Sequence, residues 1–335
     1  MQRGKMTIRI IEDWKVWDSL VDESPYGLIF HKSDFLKIVE KHSGHILIPY
    51  GIYRGDDLIC VFPIYYRKYK GIKMAFSPPP SMGIPYMGFV MGKAYDSLAQ
   101  HMKEAYVSLV ANDFDREMKK LSPNYMYIKL GPKFSDARPF KWNRYKVDTF
   151  FTYMHDLNKP VDTIWNEFDK DCRKKIREAE KPTLRIKESR DVEIFYEIMK
   201  KRFDGTEETS YYNTIGPEYL KEIVGKFPKN IRIYNLCDGD DIIGVTINCE
   251  YKGRTTGWMG CAKGHCNEYM LWEVIKNAKK EGLVEMENID ATTERLTLFK
   301  SKFNPTLEIG FHISKKDVVG TIAEWAFNNV IKKTS

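Results

Sequence analysis

The feature that most constrains this chain is a faint internal copy of itself. Gly55-Asp56-Asp57-Leu58-Ile59 separates two alternating apolar runs, and Gly239-Asp240-Asp241-Ile242-Ile243 separates two more, 184 positions later (55 to 239). Upstream, Asp34-Phe35-Leu36-Lys37 aligns with Glu218-Tyr219-Leu220-Lys221 at the same offset and without a gap. One Gly-Asp-Asp turn constrains little. A helix start and a hairpin turn kept in one register point to a duplicated module. The expectation is two tandem domains, 1–150 and 151–335.

Length agrees with that division. A chain of 335 residues exceeds what one hydrophobic core usually serves, and an apolar fraction of 43% is enough for two cores. No stretch approaches the roughly 20 apolar residues that a membrane span requires, and Met1-Gln2-Arg3-Gly4-Lys5 leads to Glu12-Asp13 rather than to an apolar leader. A cytoplasmic protein without a transmembrane segment is expected.

Periodicity places the elements in similar order in both halves. In the first, residues 7–11 read as a strand, and Trp14, Trp17 and Val21 as a helical stripe. A helix over 33–40 precedes strands over 46–53 and 58–66, joined across Arg54-Gly55-Asp56-Asp57. A Pro/Gly loop over 77–88, a helix over 95–112 and a strand over 125–130 follow. In the second, Trp165, Phe168, Cys172, Ile176 and Ala179 recur at steps of three and four, a single apolar helix face that Pro182 ends. Further helices fall near 193–203 and 218–224, and strands over 231–236, 242–251 and 255–259. A helix over 269–281 is closed by Gly282, and a strand over 285–289 and a final helix over 317–331 complete the reading. The fold class is α+β, or mixed α/β: two tandem domains, each a mixed sheet flanked by helices.

The six cysteines contain no Cys-x-x-Cys pair and lie mostly inside apolar runs, which suits reduced, buried thiols. Cys261-Ala262-Lys263-Gly264-His265-Cys266 is the one dense spot, and its spacing is not that of paired zinc ligands. No metal is expected. The excess of 53 basic over 46 acidic residues, +7 in all, suits a polyanionic small ligand, transient contact with tRNA or an anionic membrane surface, and equally plain solubility. Six cations stand among residues 170–181, with Lys170, Lys174, Arg177 and Lys181 on one helix face. They read either as a phosphate-neutralising array or as a solvated face with internal ion pairs.

Four stretches carry a resemblance to a known family: Phe30-His31-Lys32-Ser33-Asp34-Phe35-Leu36; Trp165 with Arg173-Lys174-Lys175-Ile176-Arg177-Glu178-Ala179; the Asp238-Gly239 hairpin; and Leu298-Phe299-Lys300-Ser301-Lys302-Phe303. In order and spacing the chain resembles the GNAT-fold acyltransferases, specifically the FemAB-like tandem-GNAT group with its aminoacyl-tRNA-dependent peptidyltransferases. It departs from simple acetyl-CoA enzymes in residues 260–267, which lack their usual Gly-rich phosphate loop, and it has no long charged helical arm.

The resemblance implies roles for particular residues. Lys300 would lie at the active site and steady the charge that builds on a carbonyl oxygen during aminolysis, and Phe299 would shape the pocket. Lys170, Arg173, Lys174 and Arg177 would hold a substrate anion, and Tyr86, in the Pro/Gly loop, would stack on substrate or hydrogen-bond to it. Glu287 and Asp290 are candidate general bases by position, with surface charge as their bland alternative. No Ser-His-Asp order or Cys-His pair stands out, so direct transfer without a covalent enzyme intermediate is expected.

The implied function is an acyltransferase with no tightly bound cofactor. It would move an aminoacyl or acyl group from aminoacyl-tRNA or acyl-CoA, as co-substrate, to an amine on a nucleotide-linked, lipid-linked or amino-sugar or peptide acceptor. Two alternatives stand beside it: an acyl-CoA-dependent amino-sugar N-acyltransferase, and a non-catalytic GNAT pair that binds anions.

Overall fold

The structure is a computed structural model that describes residues 6–204, 215–264 and 266–326. The chain packs into two compact units, one of Met1–Thr149 with Gly310–Ser335, the other of Phe150–Ile309.

The first unit begins with β1 (Met6–Ile10), α1 (Trp14–Glu23) and α2 (Ser33–Ser43). Asp13 caps α1 by accepting the Lys15 N–H at 2.8 Å, and Trp17 and Val21, four residues apart, turn inward. The hairpin β2 (Ile46–Arg54) and β3 (Asp57–Tyr69) closes where Arg54 faces Asp57, with Gly55 at φ +65°, a left-handed value that glycine adopts without steric penalty. Then come β4 (Ile72–Ser77), the short β5 (Val90–Met91), α3 (Gln100–Leu121), β6 (Tyr125–Lys129) and α4 (Arg138–Trp142). Phe62, Phe89, Phe114 and Phe140 form the middle of the core, with Phe62 and Phe89 ring centroids 5.0 Å apart. Such a buried ring contributes about 1.5–3 kcal/mol, and truncating Phe114, which touches the other three, to alanine would cost about 3–5 kcal/mol.

The second unit contains β7 (Lys146–Asp156), α5 (Val161–Glu167), α6 (Lys170–Ala179), β8 (Leu184–Ser189), α7 (Val192–Phe203) and α8 (Pro217–Lys226). It continues with β9 (Ile231–Asp238), β10 (Asp241–Tyr251), β11 (Arg254–Ala262), α9 (Cys266–Lys280), β12 (Glu285–Asn288) and α10 (Glu294–Lys300). After these come β13 (Thr306–Lys316) and α11 (Val318–Ala326).

The two units share one strand order. In the first it is β1-β2-β3-β4-β6-β13; in the second it is β8-β9-β10-β11-β12-β7. In each, the fourth and fifth strands are parallel, β4 with β6 and β11 with β12, and their sequence neighbours are antiparallel. Gly239 repeats the turn of Gly55 at φ +64°. The sixth strand is exchanged. β13, which follows α10 of the second unit, pairs with β6 through His312 and Lys129, and β7, which follows α4 of the first, pairs with β12 through Met286 and His155.

That exchange departs from the expected boundary, because residues 310–326 go with the first unit rather than the second. Three local expectations also differ. The stripe from Trp165 to Ala179 is two helices, for Phe168 leaves the helical conformation and Asp169 starts α6 by accepting the Asp171 N–H. The helix expected over 95–112 lies at Gln100–Leu121. The last helix starts as expected near 317, and its expected continuation to 331 falls outside the described residues.

Candidate active site

β11 and β12 run side by side for four residues only, from Arg254 opposite Glu285 to Gly257 opposite Asn288. β12 then ends, while β11 continues to Ala262. Ligands in open sheets collect at the carboxyl ends of parallel strands, where such divergence leaves backbone groups unpaired. A cavity of about 500 Å³ lies at this point, within the second unit, lined from β10, β11, β12, α7, α9 and α10.

Backbone direction along β11 shows what faces it. Lys263 donates its N–H to Ile243, on the β10 side, so Ala262 must turn the other way. Ala262 does so: its N–H and C=O are taken by the Asn267 carboxamide at 2.9 Å each, a side chain standing in for the missing strand. Two residues back, Gly260 turns the same way and is exposed. Its peptide N–H therefore faces the cavity. A Cβ at 260 would sit 2.8 Å from Thr246 Cβ and from the Val245 carbonyl oxygen, so only glycine lets β11 lie this close to β10.

The walls combine apolar and charged groups. Met259, Met270, Leu271, Met286 and Phe299 give an apolar side, and Arg202, Arg295, Lys300 and Asp290 are the charged lining residues among those described. Lys300 ends α10, whose first turn is capped by the Thr293 hydroxyl accepting from Leu296. Its side chain is 8% exposed, and its ammonium donates to the carbonyls of Ile289 and Asp290, the latter at 2.8 Å. An ammonium has three protons, so one remains for a ligand. Burial pulls the Lys300 pKa down to about 8, against the carboxylates of Asp290 and Glu287, which favour the cation. Asp290 has φ +66° and holds its turn by accepting the Thr292 N–H at 3.0 Å. Its main chain is thus bound by Lys300, and the residue lines the cavity.

The expected site residues divide between this cavity and other places. Phe299 and Lys300 line it, and Phe299 packs edge-on against Phe303 at 5.8 Å. Both belong to α10. Glu287, read as a surface charge or base, is a wholly buried residue of β12 that accepts from the Thr152 hydroxyl at 2.8 Å. The cations of α6 are largely paired: Arg173 donates to the carbonyls of Asn166 and Phe168, Lys174 meets Glu178, and Arg177 stacks over Trp165 at 5.5 Å. Lys170 is exposed on the same helix. None of these four lines the cavity.

Tyr86 lies in the first unit and is 0% exposed. The loop that carries it closes the gap beside β4 and β6: Met87 bridges to Leu130 and donates to the Lys129 carbonyl at 3.0 Å. Gly88, at φ +72°, lets the loop approach Leu130 Cα within what would be 3.0 Å of a Cβ. The first unit therefore fills with its own chain the place that the second leaves open.

Arg202, Arg295, Asn248 and Asn288 are lining residues that sequence reasoning did not single out. Arg295 precedes Lys300 by five residues on α10, about 1.4 turns, so helical spacing gave no signal that the two share a cavity. Cys261 also lines the cavity, and burial pushes its thiol up to about 11, so it is no thiolate nucleophile at neutral pH. His265, part of the dense cysteine spot, lies outside the described residues. No helix among the described residues is long and apolar enough to cross a membrane.

Residues 166–293 match the family model of the acetyltransferase (GNAT) domain. Among solved structures the chain is similar to FemX, at 13% identity over 97% of this chain and 99% of that one, with a TM-score of 0.65. It is also similar to the C-terminal domain (DUF2156) of a putative lysylphosphatidylglycerol synthetase from Agrobacterium fabrum, at 11% identity over 94% and 95% of the two chains and a TM-score of 0.56. L-PGS from Bacillus licheniformis aligns at 13% identity over 93% and 95%, with a TM-score of 0.51. At such identities the likeness is one of fold. A search of curated proteins gave no match. The mixed α/β fold expected from the sequence agrees with these findings, and the matched family model is that of an acetyltransferase domain.

Proposed function

We propose that this chain, with a GNAT domain in its second unit, transfers an acyl or aminoacyl group from an ester or thioester carrier to an amine, in the cavity between the diverging ends of β11 and β12. The observation that carries this reading is the meeting, at one cavity, of a backbone donor at Gly260, a buried ammonium at Lys300 and a carboxylate at Asp290.

The chemistry needs little beyond alignment. The amine lone pair attacks the carbonyl carbon, the new C–N bond forms, and the C–O or C–S bond of the carrier breaks. The amine loses one proton and the leaving alkoxide or thiolate gains one. Asp290 is suited to hold the incoming amine and accept its proton. Gly260 N–H and Lys300 supply fixed positive ends for the oxygen that becomes negative, in a half-apolar cleft where such contacts are strengthened.

The names of the neighbours support aminoacyl donors and lipid or peptide acceptors as the first to try. Purified protein incubated with aminoacyl-tRNA or acyl-CoA, together with nucleotide-linked, lipid-linked or amino-sugar amines, should yield an amide detected by mass spectrometry. Amide formation that persists unchanged in Lys300→Ala would remove Lys300 from the reaction. Turnover of acyl-CoA with an amino sugar alone would favour the simpler N-acyltransferase.

A further inference from the structure

In the first unit, α11 carries its apolar face outward. It packs through Gly320, the buried residue of the helix, where a Cβ would overlap the Asn124 carbonyl oxygen, so glycine is what lets the helix lie this close. Polar residues stand on that packed side. Asp317 accepts the Gly320 N–H at 2.8 Å, and Lys316 pairs with Glu324. Val318, Ile322 and Trp325, at steps of four and three along one stripe, are 75%, 62% and 62% exposed, and Val319 beside them is exposed too. A helix on the surface of a water-soluble fold normally shows the opposite arrangement. Apolar groups gathered on one exposed face mark a contact surface.

A block of cations lies next to this helix. The β3–β4 hairpin turns at Lys70 and Gly71 and carries Arg67, Lys68, Lys70 and Lys73, with no acidic residue between Asp57 and Asp96 in the sequence. Lys68 and Lys73 stand directly opposite each other across the two strands. Such a like-charge pair is unfavourable in isolation. No carboxylate pairs with any of the four among the described residues. Tyr69, between them, is exposed, with Arg67 and Lys70 at 5.4 and 5.5 Å from its ring centroid.

Asn124 ties the two features together. Its side chain accepts the Lys73 N–H and donates to the Asp317 carboxylate, at 2.8 Å each, and its carbonyl accepts the Asp317 N–H at 3.0 Å. The cationic hairpin and the first turn of α11 are therefore held side by side.

We propose that α11 and the tip of the β3–β4 hairpin form a contact surface for an anionic lipid bilayer. The Val318, Ile322 and Trp325 stripe enters the boundary between headgroups and acyl chains, and Arg67, Lys68, Lys70 and Lys73 meet lipid phosphates. Tyr69 and Trp325 suit the interfacial level, where rings with a polar edge collect. Other occupants match only half of this surface. A second copy of the chain would bring an equal block of cations to the same interface, and RNA would satisfy the cations while leaving the apolar stripe in water. The contact is independent of the acyl-transfer reading, which a failure to bind vesicles would leave standing.

The test uses the full chain and extruded vesicles of phosphatidylcholine alone or mixed equally with phosphatidylglycerol, with binding read by co-sedimentation. The mixed vesicles should bind roughly tenfold more tightly or better, and added salt should weaken that binding. The double variants Ile322→Asp/Trp325→Ser and Lys68→Glu/Lys70→Glu should each weaken it by roughly tenfold or more. Both should keep the wild-type melting midpoint, because all four side chains are exposed. Absence of binding to the mixed vesicles, or binding that either variant leaves unchanged, overturns the proposal. So does a dimer in sedimentation velocity that Ile322→Asp/Trp325→Ser turns into a monomer while vesicles are not bound; the face then belongs to a second copy. Binding of tRNA that only the hairpin variant abolishes, again without vesicle binding, assigns the cations to RNA and overturns it as well.

Discussion

Lys300 donates its ammonium to the main-chain carbonyl of Asp290 at 2.8 Å, so the residue that closes α10 also fixes the turn of the acidic residue that lines the cavity with it. The same side chain donates to Ile289. A substitution there acts on both fold and chemistry, and the two effects differ in size.

Lys300→Met should leave two carbonyls without their donor, costing about 1–3 kcal/mol of stability, and should lower the transfer rate roughly 100- to 1,000-fold. Chemical unfolding gives the first number and single-turnover kinetics the second. A rate loss no greater than the change in folded fraction would make Lys300 a purely structural residue.

The pH profile should have a descending limb near 8. Burial lowers the Lys300 pKa to about 8, so the cation that steadies developing negative charge is present below that pH and lost above it. Lys300→Arg keeps its charge throughout. Its profile, measured with saturating donor, should lack the limb even where the rate is reduced.

His155 predicts acid sensitivity in the second unit. It lies on β7, with Nε2 buried and unpartnered, and burial alone lowers its pKa from 6.5 to about 4. The folded state keeps it neutral while the unfolded chain protonates it, so this contribution is complete above 6.5 and lost as pH falls towards 4. Urea unfolding midpoints should fall over that window. His155→Leu should flatten the slope.

Gly260 and Gly257, three residues apart on β11, should respond oppositely to alanine. At 260 the new Cβ would lie 2.8 Å from the Val245 carbonyl oxygen, and the strand must move, costing about 1–3 kcal/mol. At 257 the contacts are ordinary and the change should stay within about 0.5 kcal/mol. Thermal melts of the two variants decide this directly.

The sequence made the hairpins legible because their turns need local chemistry: Gly55 and Gly239 share the same left-handed backbone, and no other residue type serves there as well. Lys300 and Phe299 were legible through family resemblance, since neither helical spacing nor composition marks a cavity. Arg202, Asn248 and Asn288 were not legible. They stand on three separate elements, and only strand register and the packing of α7 bring them to one place. The break between α5 and α6 was hidden because Trp165, Phe168 and Cys172 keep the apolar stride across it, while the capping Asp169 looks like any charged residue in a helix. Tyr86 was misplaced because a Pro/Gly loop reads alike whether it lines a cleft or fills one.

The exchanged sixth strands bear on how such a chain is made. During synthesis the first half emerges with β6 lacking its neighbour, for β13 follows at residues 306–316. Until then an unpaired strand edge is open to wrong partners, and vectorial completion of that half before the other is translated is ruled out by connectivity alone. A fragment stopped after residue 150 should consequently be recovered as aggregate or bound to chaperones, whereas one joined through a short linker to residues 306–326 should be recovered in solution.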